Sequence, residues 1–156
     1  MTDFVTDLPT RRATNDLGRA IARVARPGDL FVLSGPLGAG KTFLVRSVCR
    51  ALGLARDVRV TSPTFTLVHE YPTVPPVVHA DVYRLAARTE MEDLGLVEQR
   101  EQGRVVFVEW GEAHPAAWGG DAVVVELSVV PRRARLCSTG PVSTARVEAL
   151  VLELTK

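Results

Sequence analysis

The residues best suited to chemistry are in the run Gly35-Pro36-Leu37-Gly38-Ala39-Gly40-Lys41-Thr42, which fits G-x-x-x-x-G-K-[ST]. Glycines in such a run let consecutive backbone amides turn inward on a phosphate with no Cβ in the way. Lys41 brings a flexible point charge for the β and γ phosphates, and the Thr42 hydroxyl is a candidate magnesium ligand. The chain has two lysines among its 19 basic residues, Lys41 and the last residue Lys156, so the one internal lysine sits inside this motif. Arginine would serve poorly there, because its planar fork does not fit a narrow cradle. The bland alternative is a glycine-rich turn arising by chance, and the flanks argue against it. Leu30-Phe31-Val32-Leu33 is a short continuous apolar run of the kind a doubly covered parallel strand shows. Lys41 to Leu52 carries Phe43, Leu44, Val45, Val48, Cys49 and Leu52 as an apolar helical face, with Arg46 and Arg50 opposite and Gly53 at the stop. Strand, glycine loop and helix together aim a helix N-terminus at an anion, so nucleotide phosphate binding is expected.

Such a loop needs an acidic partner, usually at the end of a neighbouring apolar strand, to organise magnesium and the attacking water. Two carboxylates compete. Glu109 follows Val105-Val106-Phe107-Val108, and Asp81 lies in His79-Ala80-Asp81-Val82-Tyr83-Arg84. Either could instead be an ion-pair partner of Arg84. His79 reads as a hydrogen-bonded structural residue, since no Cys or His partner makes it a metal ligand. Thr61-Ser62-Pro63-Thr64 groups three hydroxyls around a proline where phosphate-sensing loops sit in this class of protein, though it also reads as a plain turn. The chain has one asparagine, Asn15, and no N-K-x-D, so ATP is favoured over GTP.

The elements that must position these groups follow from pattern. A helix is expected from Thr14 to Arg26, and a strand from Phe65 to Tyr71 after the Thr61–Thr64 loop. A turn over Pro72 to Pro76 leads into a strand over Val77 to Val82, and Glu90 to Gln102 reads as a short or broken helix. The Val105 strand follows, then a flexible loop over Pro115 to Gly120, a hairpin of Val123 to Val130 with Arg135 to Ser138, and a final helix or strand over Thr144 to Leu154. The fold class expected is α/β, a phosphate-loop NTPase fold with a mixed, largely parallel central sheet flanked by helices, in one domain over residues 1–156.

Composition narrows the classes. A net charge of +1 advertises neither a nucleic-acid nor a membrane surface. Cys49 and Cys137 lack metal-ligand spacing and read as small buried hydrophobes, which fits a reducing cytoplasm. Neither a basic-then-apolar leader nor an apolar run near twenty residues is found, so a cytoplasmic protein without membrane contact is expected.

Five ordered motifs, Gly35 to Thr42, Ser62-Pro-Thr-Phe-Thr66, His79-x-Asp-x-Tyr-Arg84, Glu92-Asp-Leu-Gly95 and Val108-Glu-Trp110, resemble the TsaE family of bacterial ATPases, formerly YjeE, across most of the chain. The resemblance implies a role in forming threonylcarbamoyladenosine in tRNA. It implies that the protein binds TsaB and TsaD and hydrolyses ATP to keep their cycle running, without transferring the group itself and meeting tRNA only through the complex. By matching motif, Lys41, Asp81 and Glu109 become the catalytic residues, with Thr42 and Glu109 as magnesium ligands. The nucleotide would be bound by Gly35, Leu37, Gly38, Ala39, Gly40, Lys41, Thr42 and Phe43, together with Thr64, Trp110 and Arg132. Arg11 to Thr14 falls where the family closes its adenine pocket, so Arg11 and Thr14 join that set. Two departures stand out: Phe43 replaces a second threonine, and Pro36 a commonly acidic residue.

Two other readings share the cradle. A small-molecule kinase would need an acceptor pocket and an arginine lid, for which Arg100, Arg104, Arg132, Arg133 and Arg135 are candidates. A nucleotide-dependent binding module would use the bound shape, with hydrolysis incidental.

Overall fold

The computed structural model describes residues 3–156. Its centre is a seven-stranded sheet in the order β1-β7-β6-β2-β5-β4-β3. Strands β2 (Leu30–Ser34), β4 (Val77–Asp81), β5 (Val105–Glu109) and β6 (Val123–Val129) run parallel and form the middle of the sheet. β1 (Asp3–Asp7), β3 (Val68–Tyr71) and β7 (Arg132–Ser138) join antiparallel at the flanks. Helices α1 (Arg11–Val24), α2 (Lys41–Ala51) and α5 (Pro141–Leu154) supply three of the covering elements. Two cores result, one on each face of the sheet. Leu17, Ile21, Leu44, Val48, Val147 and Leu150 pack on Phe31, Leu33, Phe107 and Val125. Leu96 of α4 (Leu96–Glu101), Met91 of α3 (Arg88–Glu92) and Trp118 pack on Val32, Ala80, Val106 and Val108. The expected mixed α/β sheet with a parallel core is therefore present.

Several local expectations need correction. α1 begins at Arg11 rather than Thr14, because the Thr10 side chain accepts the Ala13 amide at 3.1 Å and caps it there. Residues 65–67 are a turn instead of strand: Leu67 N donates to the Pro63 carbonyl at 2.7 Å, and Leu67 itself has φ 69°. The Glu90–Gln102 region is two short helices separated at Gly95, whose φ is 72°. Pro115–Trp118 is a 3-10 turn pinned by a fully buried Trp118, whose indole N–H donates to the Gly111 carbonyl at 2.9 Å. The final element is a helix that starts at Pro141, where Asp121 accepts the Val142 and Ser143 amides. Cys49 is buried, and burial pushes its thiol up to about 12, whereas Cys137 is only half-buried beside Asp3.

Candidate functional site

β2 ends at Ser34 and the chain turns sharply into the glycine run. A Cβ at Gly35 would collide with the Leu127 carbonyl oxygen, so this position admits only glycine. Gly40 is the N-cap of α2 at φ 104°, and no side chain caps the helix, leaving its first-turn amides facing outward. Lys41 opens the helix. Its Nζ donates to the Gly35 and Pro36 carbonyls and lies 3.9 Å from the centre of the Trp110 ring.

Parallel strand ends bring the acids to this loop. Asp81 and Glu109 are in-register neighbours at the carboxyl ends of β4 and β5, on the face covered by α2. Glu109 Oε2 accepts from the Thr42 hydroxyl at 2.9 Å and lies 2.5 Å from His79 Nε2. Asp81 Oδ2 accepts from the Ser62 hydroxyl at 2.7 Å, and Oδ1 accepts the Tyr83 amide at 3.0 Å. Ser62 and Thr64 hydroxyls bond each other at 3.1 Å. Neither acid is paired with Arg84, whose guanidinium instead stacks 4.5 Å from the centre of the Phe65 ring. Trp110 takes φ 68°, uncommon outside glycine, while its amide still donates to Leu33. That turn sets the indole over Lys41 and against Tyr83, with ring centres 4.9 Å apart.

These groups line one cavity of about 470 Å³, which takes in Leu37, Gly38, Gly40, Lys41, Thr42, Phe43, Thr64, Asp81, Glu109 and Trp110. A second, of about 350 Å³, is lined by Arg11, Thr14, Ala39 and Arg132 together with Leu8 and Thr10. The two share Gly38, Gly40 and Phe43. Twelve of the thirteen residues expected around a nucleotide line one or other cavity; Gly35 instead shapes the loop behind them. Pattern reading missed Ser62 and Tyr83 as neighbours of the acids; His79 is hydrogen-bonded as expected, with Glu109 as the partner that pattern did not name. The Ser62-Pro63-Thr64 hydroxyls were visible, but nothing local announces that Ser62 bonds Asp81.

Lys41 is not the freely solvated group its motif implies, being 5% exposed. Burial lowers its ammonium below the usual lysine range, and the carboxylates of Glu109, Glu112 and Asp81 pull it partly back. The unfolded chain therefore holds this proton more tightly than the folded one. Charging Lys41 opposes folding below its folded value, and that opposition fades as pH rises toward the ordinary 10.5. Urea unfolding from about pH 8 to about 10.5 should show the parent gaining stability relative to Lys41→Met; an unchanged difference would contradict the assignment.

Comparison with known proteins bears on what these cavities serve. The sequence model of the family described as threonylcarbamoyl adenosine biosynthesis protein TsaE matches residues 8–135. The chain belongs to the TsaE family. It is 48% identical over 101 residues to the tRNA threonylcarbamoyladenosine biosynthesis protein TsaE of Streptomyces coelicolor, a match covering 62% of this chain and 66% of that one. The TsaE protein of Rickettsia prowazekii is 31% identical over 132 residues, covering 84% of this chain and 90% of that one. The crystal structure of Bacillus subtilis YdiB superposes with a TM-score of 0.80 at 26% identity, covering 97% of this chain and 95% of that one. Membership places this TsaE-family chain in tRNA threonylcarbamoyladenosine biosynthesis. Among the described residues no helix is long and apolar enough to cross a membrane.

Proposed function

We propose that this chain binds ATP with magnesium and hydrolyses it as a cytoplasmic component of the machinery that forms the threonylcarbamoyl modification on tRNA adenosine. In this reading it acts on TsaB and TsaD rather than transferring the group, and meets tRNA only through them. The observation that carries the proposal is the convergence of Lys41, Thr42, Asp81 and Glu109 on one cavity at the carboxyl edge of the parallel strands.

Magnesium fits the donor set. Thr42 Oγ1 and Glu109 Oε2 are hard oxygens 2.9 Å apart on the cavity wall. No group of three or more His, Cys, Asp or Glu suited to a metal occurs among the described residues. The magnesium arrangement proposed is one carboxylate, one hydroxyl, waters and substrate phosphates, a set this ion commonly takes. When bound, magnesium neutralises charge on the β and γ oxygens. Lys41 would hold the same phosphates from the loop side, and Asp81, fixed at both oxygens, would orient the attacking water. The second cavity, which shares Phe43 with the first, would take the base.

A kinase lid finds less support. Arg100 is committed to the Gly28, Trp118 and Gly120 carbonyls at 2.9, 2.7 and 2.9 Å. Arg104 bonds Gln102, and Arg133 and Arg135 pair with Asp7 and Asp3. Of the five candidates Arg132 alone lines either cavity.

Removing the Lys41 charge tests the cradle directly. Lys41→Ala should weaken ATP binding by about 1.5 to 3 kcal/mol, roughly tenfold to 150-fold, read by calorimetric titration. Parent affinity in the variant would rule the cradle out. Capture from cell extract with ATP, ADP or no nucleotide should retain TsaB and TsaD in a nucleotide-dependent way, and phosphate release measured alongside decides whether hydrolysis is incidental.

A further inference from the structure

Among the buried polar side chains that the proposed mechanism does not use, His79 touches one of its acids. His79 is fully buried in β4, where an aliphatic residue would pack with no desolvation to offset. Its Nε2 lies 2.5 Å from Glu109 Oε2, and its Nδ1, also buried, has no hydrogen-bond partner. A carboxylate has no proton to donate, and Oε2 already accepts from Thr42, so the shared hydrogen belongs on Nε2. No onward hydrogen bond leads from Nδ1. A proton relay through this ring has no exit.

We infer that His79 is a positioning residue for Glu109: the histidine Nε2–H holds the carboxylate in place for the metal, independently of the Thr42 hydroxyl. The inference rests on the magnesium–ATP reading above. Glu109 is 3% exposed, and the same oxygen, Oε2, meets both the Thr42 hydroxyl and His79 Nε2. The His79 bond does not depend on where the Thr42 hydroxyl points, so it fixes the carboxylate in either case. The sheet fixes its aim: His79 pairs in register with Phe107, two residues before the Asp81–Glu109 pair, so the imidazole shares a face with both acids. Phe107, its partner in register, is stacked on Phe31 with ring centres 4.9 Å apart. Partners of this kind orient metal-binding carboxylates and imidazoles throughout protein chemistry.

The test compares His79→Leu, which keeps apolar packing, with His79→Gln, whose amide nitrogen reaches the Nε2 position. A non-hydrolysable ATP analogue is titrated calorimetrically in excess magnesium and in EDTA, and thermal unfolding is followed in parallel. The gain in affinity from magnesium should fall by about tenfold or more in the Leu variant and be largely restored in the Gln variant. A parent-like gain in His79→Leu overturns the inference, as does an equal loss in both variants, which would mark a packing role. If His79→Leu does not fold, His79→Gln and His79→Asn are compared. Asn places its nitrogen near Nδ1, so Asn matching or exceeding Gln overturns it too. A parent with ATP binding indifferent to magnesium is a separate result, one that removes the magnesium reading and this inference with it.

Discussion

Asp81→Asn is expected to hydrolyse ATP about 10²- to 10⁴-fold more slowly than the parent, the usual range for losing a positioned acid–base group, while binding ATP nearly as well. The hypothesis rests on where Asp81 sits. Its two oxygens are held by Ser62 and by the Tyr83 amide, and it lines the same cavity as Lys41 while making no bond to Thr42. The amide keeps the shape and the Tyr83 contact, but it loses the charge that would draw a proton from water. Glu109→Gln should behave differently, losing the dependence of binding on magnesium because Glu109 is the acid bonded to Thr42. Phosphate release and calorimetry on both variants separate the roles, and parent rates in both would leave neither standing.

The second large effect is acceleration by partners. TsaB and TsaD together should raise steady-state phosphate release by about a thousandfold, the scale on which groups supplied in trans act on other phosphate-loop enzymes. The motivation is the segment that carries Ser62 and Thr64. It reaches the cavity through the Ser62–Asp81 and Ser62–Thr64 hydroxyl bonds, and Phe65 beside it is 81% exposed and open to a partner. A partner seated on it would hold Ser62 against Asp81. Thr64→Ala should therefore blunt the acceleration more than it weakens ATP binding. Equal rates with and without both partners would sink the idea.

The parts of this site that pattern reveals are those encoded contiguously. The β2 run, the glycine loop and α2 are adjacent in sequence, and each keeps its own periodicity. Glu109 was legible because four apolar residues announce the buried strand it ends. β1 was not. Its DFVTD alternates exposed and half-buried residues at a sheet edge, and its pairing with β7 joins residues far apart in the chain. The His79–Glu109 bond is hidden for the same reason: it follows from the register of β4 on β5, which no local window contains. The turn at 64–67 defeated a β-rich composition because Pro63 offers its carbonyl to Leu67 before the strand can start.

The two cavities meet at Phe43 but hang on different supports. One is built on the carboxyl ends of β4 and β5, deep in the sheet; the other leans on the Leu8–Thr14 segment and Arg132 of β7, toward the edge. Sequence drift near that edge can reshape the outer cavity while Asp81 and Glu109 stay locked in register. In the proposed reading, lineages could retune which nucleoside is preferred without disturbing the phosphoryl machinery, and the two properties would evolve as separate traits.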